Sequence, residues 1–84
     1  WGVRIENLVL AVPARLDAPE EFGEFLEFET LTLCPIDTRC IERSLLALDE
    51  IDWLDRYHAV VRERLAPLVD GDALAWLEAR TQPL

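Results

Sequence analysis

Eighty-four residues with a formal charge of −9, from 17 acidic and 8 basic side chains, make at most one small domain. With 51% apolar residues and three tryptophans the chain is not a disordered tail, since it holds large units of buriable area. The acidic balance, with no basic stripe, argues against nucleic-acid binding, and no apolar run is long enough to span a membrane.

The first residue already lies inside a strand-like run, "WGVRIENLVLAV", so the chain is expected to be a piece of a longer protein. Val3 to Val12 is rich in β-branched residues and stops at Pro13, which predicts a strand. Alternation places Arg4, Glu6, Leu8 and Leu10 on one face and Ile5, Asn7 and Val9 on the other, so polar residues gather in its first half. Residues 13–24, with two prolines and a glycine, read as a loop. "FLEFETLTLCPI" predicts a second strand closed by Pro35, its mixed alternation suiting the edge of a larger sheet. Asp37, Thr38 and Arg39 then form a polar connection.

A long helix follows. Ile51, Leu54, His58, Val61, Leu65 and Leu68 recur at steps of three and four, forming one apolar stripe. Ser44 is placed as N-cap of an early turn, and Asp49, Glu50 and Asp52 complement the helix start. Arg62 and Arg64 suit the other end, and Pro67 should stop the helix near Leu65 or Ala66. "DGD" at 70–72 predicts a turn, with Asp72 capping a short last helix that turns Ala73, Leu74 and Leu77 inward. Two strands followed by two helices make the fold class α+β.

Isolated charges are costly to bury, so Arg4 and Glu6 need a reason to sit in a strand. Two apart on one face, they fit either an exposed ion pair, which spacing alone favours, or a metal-ligating carboxylate oriented by an arginine. His58, the sole histidine, reads as a satisfied, half-buried helix residue rather than a ligand or base. Cys34 and Cys40 match neither a secreted disulfide framework nor a zinc knuckle, and are expected to be buried free thiols of a reducing compartment. Asp17, Glu20, Glu21 and Glu24 lack the pattern of a calcium loop and read as a solvated face. Trp53, Tyr57 and Trp76 read as packing residues.

The segment "WGVRIENLVLAV" resembles the last catalytic segment of Xaa-Pro aminopeptidases, metallopeptidases of the pita-bread fold, in which a G-[IV]-R-[IV]-E-[ND] strand closes the active site. "FLEFETLTLCPID", "DWLDRYHAVVRERLAPL" and "ALAWLEARTQPL" resemble, in order, the C-terminal extension of the longer members. The resemblance implies that residues 1–24 are the last catalytic strand and loop, and residues 25–84 a strand, long helix and short helix of the extension. It implies a cytoplasmic enzyme with two divalent metal ions, usually manganese, that cleaves peptides with proline at the second position. Glu6 matches the glutamate that bridges both ions; a carboxylate spans ions ~3.5–4 Å apart, the separation at which two metals activate a water. Arg4 matches the arginine beside it, and no other residue here matches a ligand, the remaining ones being expected upstream of Trp1. One carboxylate holds a divalent ion only weakly, so the 84 residues alone are expected to be inactive and to hold no metal firmly. The extension is expected to serve packing or a homodimer contact. Where relatives often show Thr-Pro-Glu-Glu before the long helix, this chain has "ALDE" at 47–50. Two alternatives stay open: a non-catalytic acidic α+β interaction module or metal-less family member, and a prolidase-like dipeptidase, which the extension blocks disfavour.

Overall fold

β-Branched residues form a strand only where a second strand satisfies their backbone, and that condition confines β1 to Val9–Pro13. Its antiparallel partner, β2, is Leu26–Thr30, with Val9 opposite Thr30, Ala11 opposite Phe28 and Pro13 opposite Leu26. The computed structural model describes residues 1–15 and 23–84, as two compact units, Trp1–Thr32 and Leu33–Leu84. Both strands are shorter than the sequence suggests. Val3 to Leu8 lacks a ladder, and β2 stops at Thr30, well before Pro35.

The hairpin is extended slightly at both ends by further hydrogen bonds. The Ala14 N–H donates to the Phe25 carbonyl at 2.8 Å, and the Leu31 N–H to the Leu8 carbonyl at 2.8 Å. The Thr32 hydroxyl accepts from the Leu8 N–H at 2.8 Å, closing the open end of the ladder. Opposed residues share a face, so Val9, Ala11, Leu26 and Phe28 line one side while Leu10 and Val12 face Glu29 and Glu27 on the other. No described residue of this unit is buried; Phe28 is 76% exposed. Of the acidic group, Asp17, Glu20 and Glu21 lie outside the described residues, and Glu24 is exposed as expected.

The second unit opens with two short 3-10 turns, Thr38–Cys40 and Arg43–Leu45. Ser44 does not cap the second turn: Glu42 does, its carboxylate accepting from both the N–H and the hydroxyl of Ser44. The long helix α1 is Leu48–Leu65. Ala47, its N-cap, has no side-chain oxygen, and the start is secured instead by Glu50 reaching back to accept from the Ala47 N–H at 2.8 Å. Pro67 ends the helix as predicted, and Ala66–Leu68 makes one 3-10 turn.

The short helix α2 is Gly71–Arg80, with Asp70 rather than Asp72 at the N-cap. The shift rests on Gly71, whose φ of 53° lies in the left-handed region that glycine enters without a Cβ clash. Tyr57, Val61 and Leu77 form the core, with Leu33, Ile36, Leu65, Ala66 and Val69 packed around them. Ile51, Leu54 and Val61 of the predicted stripe are buried, whereas Leu68, beyond the proline, is exposed. In α2 only Leu77 is buried; Leu74 is half-buried and Ala73 exposed. The chain end is tied back to α1: the Arg62 guanidinium donates to the Thr81 carbonyl at 2.9 Å, and the Asp55 carboxylate accepts from the Leu84 N–H at 2.8 Å.

Candidate functional site

Arg4 and Glu6 do meet: the Arg4 guanidinium lies 2.7 Å from the Glu6 carboxylate. Both side chains are exposed, so the pair contributes little to stability by itself. A carboxylate has about four acceptor positions, and one contact with arginine leaves capacity for a further cation. As a hard oxygen donor, Glu6 suits a divalent ion of the magnesium–manganese type. Among the described residues no group of three or more His, Cys, Asp or Glu side chains comes together to hold a metal ion. Glu6 is therefore a single donor on an exposed segment, and firm metal binding requires further ligands from outside the described residues.

His58 is more deeply buried than its position suggested, at 1% exposure. Its Nε2 accepts from the Ile36 N–H at 2.9 Å, while Nδ1 makes no hydrogen bond to the described atoms. Burial, the largest cause, and the nearby Arg62 hold its pKa below the ordinary histidine value, with Asp55 opposing them. A ring that accepts at Nε2 inside a core is no general base for a substrate. Its neighbour Tyr57 donates its hydroxyl to the Cys34 carbonyl at 2.9 Å and accepts from the Cys34 N–H at 3.2 Å. These contacts with Cys34 and Ile36 were not anticipated from the sequence. The available signal was the pair Tyr57–His58 on the apolar face of a helix, because buried polar atoms demand partners.

Both cysteines are free, as expected, but exposed rather than buried. Cys40 closes the Thr38–Cys40 turn, Cys34 precedes it, and neither thiol is buried. Trp53 stacks on Tyr57 with ring centroids 5.3 Å apart and planes 7° from parallel, and remains half-exposed. Trp76 is also half-exposed, beside an open, apolar groove of about 360 Å³ formed with Pro35, Leu65, Val69, Ala73 and Leu77. The polar connection is ordered by Asp37, which accepts from the Arg39 backbone and side chain; those hydrogen bonds hold its pKa at about 2.

Residues 24–84 match the model of the C-terminal region of peptidase M24. The chain belongs to this family. All of it aligns with a probable Xaa-Pro aminopeptidase P of Coprinopsis cinerea at 41% identity, spanning 14% of that protein. It aligns along its whole length with aminopeptidase P2 of Arabidopsis thaliana at 44% identity, spanning 12% of that protein. Among solved structures, the X-prolyl aminopeptidase of Caenorhabditis elegans, described as a cytosolic enzyme with a di-nuclear active site, matches with a TM-score of 0.80 and 39% identity. That match covers 100% of this chain and 14% of the worm enzyme. The chain thus corresponds to a C-terminal fragment, and its two antiparallel strands, long helix and shorter helix match the C-terminal part of that structure. The α+β class read from the sequence is the one found.

Proposed function

We propose that this chain is the C-terminal part of a dinuclear metallopeptidase that hydrolyses the bond between an N-terminal residue and proline. The observation that carries the reading is the alignment of the whole chain with a probable Xaa-Pro aminopeptidase P and with aminopeptidase P2, at 41% and 44% identity. Residues 1–24 contribute the last catalytic strand and loop, and residues 25–84 the extension. Glu6 would be a ligand of a pair of divalent ions, manganese by preference, with Arg4 holding its carboxylate in place; their 2.7 Å contact supports that pairing. Such a site would supply the chemistry of two metals, activation of a water and polarisation of the scissile carbonyl. What this chain's own residues do is orient the carboxylate, through the arginine beside it.

The extension contributes no chemistry in this reading. The apolar groove beside Trp76 and the exposed Trp53 and Leu68 suit a packing surface, proposed as part of a homodimer contact of the intact protein in the cytoplasm. Among the described residues no helix is long and apolar enough to cross a membrane.

The test is manganese-dependent cleavage of a short Xaa-Pro peptide by the intact protein, with and without Glu6→Gln. Loss of several orders of magnitude in kcat is expected, because the amide would remove an anionic donor from the metal site. A second reading, a metal-less interaction module, draws on the exposed Arg4–Glu6 pair, which needs no metal to exist. Harmless Glu6→Gln, with no cleavage by the parent under any divalent metal, would select it.

A further inference from the structure

Two consecutive side chains of α1 grip the backbone of the segment that enters the helical unit. Tyr57 contacts both the N–H and the carbonyl of Cys34, and His58 takes the N–H of Ile36. The two amides are two residues apart, the spacing at which a chain presents its N–H groups to a neighbouring strand. Here side chains from a helix take the place of that strand. The contact at His58 requires a lone pair on Nε2, so the neutral ring carries its proton on Nδ1.

We propose that His58 is a pH-operated latch on residues 33–36: the neutral ring holds the Ile36 amide, and protonation at Nε2 releases it while the Tyr57 contacts with Cys34 persist. A proton from solvent occupies the Nε2 lone pair, leaving an imidazolium with two N–H donors and no acceptor. The Ile36 N–H then faces a donor and must turn away. The Tyr57 hydroxyl both donates to and accepts from Cys34 without involving the imidazole, so the two contacts of the grip are separable.

The charged groups around the ring make their hydrogen bonds elsewhere in this structure. On α1, Asp55 accepts from the Leu84 N–H and Arg62 donates to the Thr81 carbonyl. On the entering segment, Asp37 and Arg39 are engaged with each other, and Cys34 presents an exposed thiol. Arg80, in the last turn of α2, carries the same charge as the ring would gain. None of these groups hydrogen-bonds to the imidazole. Burial and Arg62 keep the ring neutral near pH 7, and the latch opens as pH falls below 6.5 through the lowered value of the folded protein. The inference does not depend on the role assigned to Glu6.

Residue-resolved hydrogen exchange on the intact protein, corrected for intrinsic rates and followed from about pH 7.5 to about pH 4.5, tests it. Protection at the Ile36 amide should fall at least tenfold across that range, while protection at Cys34 changes little. In His58→Gln the amide oxygen accepts from Ile36 without titrating, so protection there should stay high at every pH. Constant protection at Ile36 in the native protein would overturn the latch, as would a parallel loss at Cys34, which signals general acid unfolding. The same acid loss in His58→Gln would overturn it too. If that variant does not fold, the native comparison of Cys34 with Ile36 decides the question alone.

Discussion

Trp1–Thr32 and Leu33–Leu84 are ordered by different physics. The first has a defined strand register yet buries none of its described side chains, so pairing of backbone groups is what gives it form. Such a two-stranded hairpin is marginal on its own. The second has a core of Tyr57, Val61 and Leu77, with its turns and chain end tied to α1 by specific hydrogen bonds. The proposed ligand lies in the unit without a core, and the unit with a core has no role in the proposed chemistry. A site residue can thus sit on a segment whose stability comes from elsewhere, while the helical unit carries most of the folding information.

The largest expected effect that would break this comparison is a truncation in the core. In the 84-residue chain Leu77→Ala should lower the unfolding free energy by about 2–5 kcal/mol, by lost transfer energy plus a cavity. Phe28→Ala, in the hairpin and 76% exposed, should stay within about 0.5 kcal/mol, as surface changes do. Equal losses in denaturant titrations would show that the two regions do not differ as described. Next is Tyr57→Phe, which leaves the backbone polar groups of Cys34 without their side-chain partner and should cost about 1–3 kcal/mol by the same titration.

Acid sharpens the contrast further. His58 has a folded pKa below its unfolded value of 6.5, so the unfolded chain binds the proton more readily. Its stabilising contribution is complete above that value and is lost as pH falls through the lowered folded one. Asp37, held at about 2 against an ordinary 3.8, loses its contribution only below about pH 4. Between pH 7 and 5 the helical unit should therefore weaken through His58 and not through Asp37, and His58→Gln should flatten the stability profile in that window. The smallest effect is expected from Asp37→Asn and Arg4→Gln near neutral pH. Both groups are exposed, and neither change should shift the denaturation midpoint measurably.

The helical half was the more legible in the sequence. A 3.6-residue stripe from Ile51 to Val61 and a proline at 67 are local signals, and local physics decided α1. Burial of Leu68 failed because the stripe was continued past that proline. The strand from Val3 failed for another reason: β-branched composition favours an extended chain but does not create a partner, and β2 offers only Leu26–Thr30. Asp72 was chosen as cap without knowing that Gly71 takes a left-handed φ and enters the helix first. The grip of Tyr57 and His58 on Cys34 and Ile36 spans more than twenty residues of sequence, beyond any pattern rule. At the candidate site, Arg4 and Glu6 were read correctly as a meeting pair, although they meet without the ladder expected to align them. Residue spacing carried their proximity; the role proposed for Glu6 came from resemblance.

The measurement that tests the central claim most directly is the metal content of the intact protein, loaded with manganese and dialysed, with Glu6 native and as Glu6→Gln. The account predicts two ions per chain in the native protein and fewer in the variant, with the unfolding of the helical unit unchanged. Two ions retained in both, with equal cleavage of an Xaa-Pro peptide, would contradict it.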